Sequence, residues 1–326
     1  MSENMNAENS VNEKTPDLSV DIAGIHFRNP VIAASGTFGY GKEYSGIIDV
    51  SLLGGICTKG LTLTPRKGNA GTRIWETPSG LLNSIGLENP GIPSFLENEL
   101  PKLKEMGPVV IANLSGASAD EYVGGAALLD ESNVDMIELN ISCPNVKAGG
   151  IAFGLSSGTA AALTAAVRRV SRSKPLIVKL SPNAPNLASV AVSCINAGAD
   201  ALSIANTFQA MAIDTAARKP VFNNITAGLS GPAVRPLVLR MVWELFFAMD
   251  DARMRTPIIA VGGIGRTQDA LEYLMAGASA VQVGSSTFAH PASMTDIIDG
   301  VYNYMIENKI NNIGEISIRD KYGKDS

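Results

Sequence analysis

The chain has 326 residues, 45% of them hydrophobic and 17% charged, and a formal net charge of −5 at pH 7. That is ample material for a core in a soluble globular protein, no block of basic residues marks a nucleic-acid binder, and no apolar stretch reaches the roughly 18 residues of a membrane span. Three cysteines without CxxC spacing, Cys57, Cys143 and Cys194, exclude a disulfide scaffold and argue against a metal or iron–sulfur cluster held within this chain.

Residues 1–17, MSENMNAENSVNEKTPD, are polar and lack the apolar core of a secretory signal. They are expected to form a disordered tail, and the cytoplasm is the expected address. LSVDIAGIHFRNPV follows, with the look of a small hairpin. Then come eight short apolar runs: VIAASG (31–36), GGICTKG (54–60), VVIANLSG (109–116), MIELNISCPN (136–145), LIVKLSP (176–182), ALSIANT (201–207), IIAVGGIG (258–265) and AVQVGSS (280–286). Each breaks off at its C-terminal end into lysine, asparagine, serine or glycine. Helical periodicity fills 91–106, 119–131, 158–172, 186–197, 232–249, 267–276 and 293–308.

Alternating strands and helices imply parallel pairing, and continuous apolar strands such as LIVKL suit a sheet covered on both faces. Eight strands are the number of a (β/α)₈ TIM barrel, and 326 residues fit one such barrel with insertions. The expected organisation is therefore a single barrel domain over 18–326, with the hairpin plugging its far end. Two connections, Leu61 to Pro90 and Thr207 to Gly231, are too long for simple turns and leave from the C-terminal ends of strands, where they can form a lid or a substrate wall.

In this fold catalytic groups sit at the C-terminal ends of strands. Ser35, Lys59, Asn113, Asn140, Lys179, Asn206 and the strand-end glycines should therefore ring one mouth. AVGGIG and VGSS each end a strand and open a helix, which suits a phosphate, although glycines also serve plain tight turns. GLSGP (228–232) offers a third such cradle. Lys59 and Lys179 can pair with phosphate or carboxylate, stabilise a reduced flavin or form a Schiff base; either can also simply reach solvent. The asparagines offer donors and acceptors without charge, suited to a ring with alternating C=O and N–H groups. His26 and His290 lie outside the strand ends and read as structural. Cys143, just past a strand and fixed in extended geometry by Pro144, is the better proton acceptor, whereas Cys57 and Cys194 read as small buried hydrophobes.

NISCPN with the following VKAGG, NSIGLENPG (83–91), ANT (205–207), GLSGPA and AVGGI together resemble class 1 dihydroorotate dehydrogenases, and in particular the 1B subgroup. The resemblance covers nearly the whole chain after the tail. It implies an FMN-containing barrel that oxidises dihydroorotate to orotate in pyrimidine biosynthesis, the flavin carrying the redox chemistry. By the same resemblance Cys143 is the base that takes the C5 proton while hydride leaves C6 for the flavin. Lys179 is the flavin's charge partner, Lys59 and Gly60 contact flavin and substrate, and Ser35, Asn113 and Asn140 hold the isoalloxazine and ribityl groups. Gly231, Gly262, Gly263, Gly284 and Ser285 line the phosphate side, and Ala205 the pocket beside the flavin. Asn83, Asn140, Asn206 and Thr207 read the substrate ring, with Ser84, Ile85, Gly86 and Leu87 closing over its carboxylate. Two positions depart from the family pattern, Ala205 where a larger apolar residue is common and Ala227 where glycine is.

Members of the 1B subgroup form a homodimer that passes electrons to NAD⁺ through a partner subunit carrying FAD and a [2Fe–2S] cluster. This chain has cysteines for no such cluster, so the resemblance implies that partner and a heterotetramer. Rival readings are a fumarate-dependent class 1A enzyme, against which VKAGG speaks, a Schiff-base aldolase on the same barrel, and a non-catalytic barrel that binds a phosphorylated ligand.

Overall fold

The computed structural model describes residues 15–142 and 151–322. The eight expected runs form eight parallel strands: β1 Val31–Ala33, β2 Gly55–Cys57, β3 Val109–Leu114, β4 Met136–Asn140, β5 Leu176–Lys179, β6 Ala201–Ile204, β7 Ile258–Val261 and β8 Ala280–Val283. They close into a barrel in chain order, with β8 meeting β1 through Val281 opposite Val31 and Val283 opposite Ala33. The largely apolar character of these strands follows from this closure, since one face packs the interior and the other lies under helices.

The helices longer than four residues among the described residues are α1 Ile92–Asn98, α2 Leu100–Met106, α3 Ala119–Asp130, α4 Ser157–Val170, α5 Leu187–Asn196, α6 Arg235–Asp251, α7 Thr267–Met275 and α8 Ser293–Glu307. The expected helix over 91–106 is thus two. Pro101 sits in the first turn of α2, where its missing N–H costs nothing, but there it cannot continue a helix from before. Ser118, Ser156 and Asn186 cap α3, α4 and α5 by accepting from the N–H groups of Glu121, Thr159 and Ser189, which fixes where each loop at the mouth ends. Between β1 and β2 the described residues hold only a 3₁₀ turn, Val50–Leu52.

Val20–Ile22 and Ile25–Phe27 form the antiparallel hairpin expected at the start. Ile22 and Phe27 are fully buried, and the Phe27 ring lies 3.0 Å from where a Cβ on Gly55 would stand. Gly55 opens β2, so the hairpin closes the end of the barrel opposite the mouth. Of the expected tail, residues 1–14 lie outside the described residues, and Asp17 bridges to Asn312.

The two long connections do more than serve as loops. Ile74–Thr77, Gly80–Asn83, Thr226–Ser230 and Phe208–Met211 build one four-stranded antiparallel sheet over the mouth. Its central seam pairs Leu82 with Leu229 and Asn83 with Gly228, so the first connection is hydrogen-bonded to the second. Leu82, Phe222 and Ala227 form a small core of their own beneath this roof, apart from the main core of barrel, helices and hairpin. Gly228 is needed at the seam because a Cβ there would stand 2.1 Å from the Thr207 hydroxyl. No helix among the described residues is long and apolar enough to cross a membrane.

Candidate active site

A cavity of about 280 Å³ opens between the C-terminal ends of the strands and the roof. Ser35 after β1, Lys59 and Gly60 after β2, Asn113 near the end of β3, Asn140 and Lys179 ending β4 and β5, and Ala205, Asn206 and Thr207 after β6 all line it. Gly262 and Gly263 after β7 and Gly284 and Ser285 after β8 complete the ring. From the roof and its connections come Asn83, Ile85, Gly86, Leu87, Leu229 and Ser230. Residues far apart in sequence therefore face one space because parallel strands present their C-terminal ends together.

Beneath the mouth lies a carboxylate that the strand pattern concealed. Glu138 on β4 is 0% exposed and Lys179 only 4% exposed. One oxygen of Glu138 accepts from Asn113 Nδ2 at 2.6 Å and Cys57 Sγ at 3.2 Å and lies 3.6 Å from Lys179 Nζ. The other accepts from Ser203 Oγ at 2.8 Å and Gln282 Nε2 at 2.9 Å. A buried charge requires such partners. Burial pushes the Glu138 carboxyl up, but the Lys179 ammonium and the hydrogen bonds from Gln282, Ser203 and Cys57 outweigh it and hold it below the ordinary glutamate range. Burial, followed by the adjacent Glu138 charge, pushes the Cys57 thiol well above its usual value. Cys57 is thus a neutral donor, as its reading as a buried hydrophobe implied, with a hydrogen bond added.

From Glu138 a series of amides runs toward the ligand space. Asn140 Nδ2 donates to Asn113 Oδ1 at 3.2 Å, Asn206 Nδ2 donates to Asn140 Oδ1 at 3.3 Å, and Thr207 N donates to Asn206 Oδ1 at 2.8 Å. Ser142 Oγ accepts from Asn206 Nδ2 at 2.8 Å and donates to Asn140 Oδ1 at 3.0 Å. Tyr122 of α3 clamps the strand end by donating its hydroxyl to the Asn140 carbonyl at 2.7 Å. Across the barrel Lys179 Nζ donates to Ser35 Oγ at 3.3 Å.

The two lysines differ in charge balance. Lys179 is matched by Glu138, whereas Lys59 lines the cavity and forms no ion pair among the described residues. Of the acidic side chains at the rim, Glu88 is taken by Arg73 at 2.7 Å. The mouth therefore keeps an uncompensated positive charge on the Lys59 side, which suits an anionic ligand.

On the other side, the turns after β7 and β8 carry no charged side chain into the cavity. Gly263 has φ of +69° and leaves 2.6 Å to the Arg235 Cβ and 2.9 Å to the Arg235 backbone, so this turn lies directly against the start of α6. Tyr273 secures it by donating to the Gly262 carbonyl at 2.7 Å. Such a turn brings backbone N–H groups within reach of a phosphate.

Two expected contact residues stand away from the cavity lining. Ser84 is buried against Asn69, whose Nδ2 donates to its hydroxyl at 3.0 Å. Gly231 lies against Gly80, 2.7 Å from a would-be Cβ to the Gly80 Cα. GLSGP thus contributes a roof strand, and Pro232 begins a 3₁₀ turn rather than the helix itself. Cys143 lies outside the described residues. His26 and His290 are exposed and pair with Asp21 and Asp296, and Cys194 is buried. Besides Glu138, the strand-end reading passed over Thr37, Val261, Ile264 and Phe288, which line the same space; the last two follow the glycine turns directly.

The family model for dihydroorotate dehydrogenase matches residues 17–305. The chain belongs to the dihydroorotate dehydrogenase family. Within it, the chain is 54% identical over 300 residues to a protein of Petrotoga mobilis named dihydroorotate dehydrogenase B (NAD(+)), catalytic subunit, covering 92% of this chain and 98% of the relative. Proteins of the same name from Geotalea daltonii and Brachyspira hyodysenteriae are 51% and 48% identical, each over 92% of this chain and 97% of the relative.

Proposed function

We propose that this chain is the catalytic subunit of an NAD⁺-linked dihydroorotate dehydrogenase, oxidising dihydroorotate to orotate with FMN bound at the barrel mouth. The observation that carries the reading is the pairing of an oriented asparagine series with two lysines of unequal charge balance around one cavity, in a chain of which 92% aligns with relatives of that name. The donor set fits a flavin nucleotide: uncharged glycine turns at Gly262, Gly263, Gly284 and Ser285 for the phosphate, and Lys179 with Ser35 and Asn113 for the ring system. Bound there, the flavin supplies the two-electron acceptor.

The chain's own residues supply binding, orientation and proton transfer. Lys59 holds the substrate carboxylate, with the segment through Ile85, Gly86 and Leu87 over it. Asn83, Asn140, Asn206 and Thr207 read the ring's C=O and N–H groups. Cys143 takes the C5 proton as hydride departs from C6. Removal of that proton leaves the C5–H electron pair to form the C5=C6 double bond as the C6–H pair departs with the hydride, so one proton and one hydride account for the oxidation. Electrons leave through a partner subunit carrying FAD and an iron–sulfur cluster, this chain forming a homodimer at the centre of a heterotetramer.

The test is direct. The purified chain should be yellow, and anaerobic dihydroorotate should bleach it with one orotate formed per flavin. Reoxidation by NAD⁺ should require the partner subunit. A colourless chain that fails to take up added FMN, or a yellow one that dihydroorotate does not bleach, refutes the proposal.

A further inference from the structure

A carboxylate can only accept hydrogen bonds. The 2.6 Å contact between Glu138 Oε1 and Asn113 therefore forces Asn113 to present Nδ2 inward and Oδ1 outward. That oxygen, in turn, takes Nδ2 of Asn140, whose own Oδ1 then faces Nδ2 of Asn206. Every amide in the series points the same way, held at its buried end by Glu138 and further out by the backbone N–H of Ser142, which donates to Asn140 Oδ1 at 3.3 Å. The Asn206 oxygen is finally fixed by the Thr207 N–H at 2.8 Å.

We propose that Glu138 is a positioning residue: from inside the barrel it sets the donor and acceptor polarity of Asn113 and, through Asn113 Oδ1, reinforces that of Asn140 and Asn206, and so biases which ring edge the mouth accepts, without touching the ligand. The proposal rests on the functional reading above for the identity of that ring. Its physical basis is independent of it. An asparagine side chain has nearly the same shape in both flipped states, so only a fixed neighbour can select one. A charged acceptor selects most strongly, because its hydrogen bonds are about twice as strong as neutral ones. A chain of bonds with one direction also strengthens each member. The edges that remain, the second N–H of Asn140 and the second lone pair of Asn206, are then a fixed pattern rather than an adaptable one.

Orotate and its 4-amino analogue, in which the ring edge exchanges a C=O for an NH₂ and the neighbouring N–H for a bare nitrogen, probe that pattern. In the full-length FMN-loaded chain, dissociation constants for both are read from the perturbation of flavin absorbance. Glu138→Gln keeps an oxygen for Asn113 and should keep the native preference for orotate within about threefold. Glu138→Met, of similar length but with only a weak, uncharged acceptor, should lower that preference at least about tenfold, the analogue gaining relative to orotate. A Met variant that loads flavin and keeps the native preference, or that weakens both ligands equally, overturns the proposal. Should that variant not fold, ¹⁵N-asparagine-labelled native chain and Glu138→Gln are compared by NMR. The Asn113 amide protons should lie downfield in the native chain and move upfield in the variant, and an identical position in both overturns the proposal. A native chain that binds neither FMN nor orotate would instead refute the function, leaving the NMR comparison to decide the amide orientation.

Discussion

Replacing Lys179 by methionine should reverse the sign of the chain's response to pH. The ammonium lies 3.6 Å from Glu138, with both side chains almost wholly buried. At an effective dielectric of about 20, that separation is worth about 5 kcal/mol of Coulomb attraction. Glu138 keeps four other donors, from Asn113, Cys57, Ser203 and Gln282, so the net loss should fall at the low end of what breaking a buried pair costs, about 3 kcal/mol. For a chain of this size that is a fall in Tm of about 4 °C. In the native chain the Glu138 carboxyl is held below its ordinary range. Its contribution is therefore present above the unfolded value of about 4.3 and lost as pH falls through the folded one. Without Lys179 burial dominates and lifts the carboxyl above its ordinary value; stability is then kept at low pH and lost as pH rises through the raised value. Urea unfolding of the flavin-free chain, followed by circular dichroism at pH 5 and pH 8, measures this. The deficit of Lys179→Met should be about 3 kcal/mol at pH 8 and clearly smaller at pH 5, and adding Glu138→Gln should restore most of it. A deficit under about 0.5 kcal/mol at pH 8, or one that grows toward acid, would show that the pair is not coupled as described.

Cys143→Ala should slow anaerobic flavin reduction by dihydroorotate about 10²- to 10⁴-fold in stopped flow, with orotate affinity little changed. The native rate should climb toward alkaline pH, since a thiol with an ordinary value near 8.5 must lose its proton to act. Lys59→Ala removes the uncompensated cation and should weaken orotate about 10- to 100-fold in flavin titrations, the worth of a hydrogen bond to a charged group. Gly263→Ala places a methyl 2.6–2.9 Å from Arg235 at a φ of +69°. Strain of about 1–3 kcal/mol should appear as a lower Tm and weaker FMN retention in equilibrium dialysis.

What the sequence made legible, and what it hid, divides along the range of the interactions. The eight strands and the helices between them carry local signals, runs of apolar residues ended by caps and glycines, and all eight runs are found as strands. The strand-end residues follow, because parallel topology alone brings Lys59, Asn113, Asn140, Lys179 and Asn206 to one mouth. The roof sheet was invisible as a sheet: its central pairing joins Asn83 to Gly228, and strands of four or five residues such as GLLN and TAGLS are too short to carry a pattern of their own. Glu138 was hidden for the opposite reason. Inside MIELN an acidic residue between apolar neighbours reads as part of a strand, and its partners Cys57, Ser203 and Gln282 lie on three other strands. Ser84 looked like a contact because its neighbours are, yet its side chain points back to Asn69.

The shared roof also bears on how this enzyme could be re-engineered. Leu82 opposite Leu229 and Asn83 opposite Gly228 stitch the excursion after β2 to the one after β6, and Asn223 Nδ2 adds a further tie to the Ala70 carbonyl at 3.1 Å. A chimaera that imports 61–90 from a distant homologue while keeping 207–231 would mismatch a ladder whose two halves come from different parents. Specificity grafts onto this scaffold should therefore exchange both excursions as one cassette.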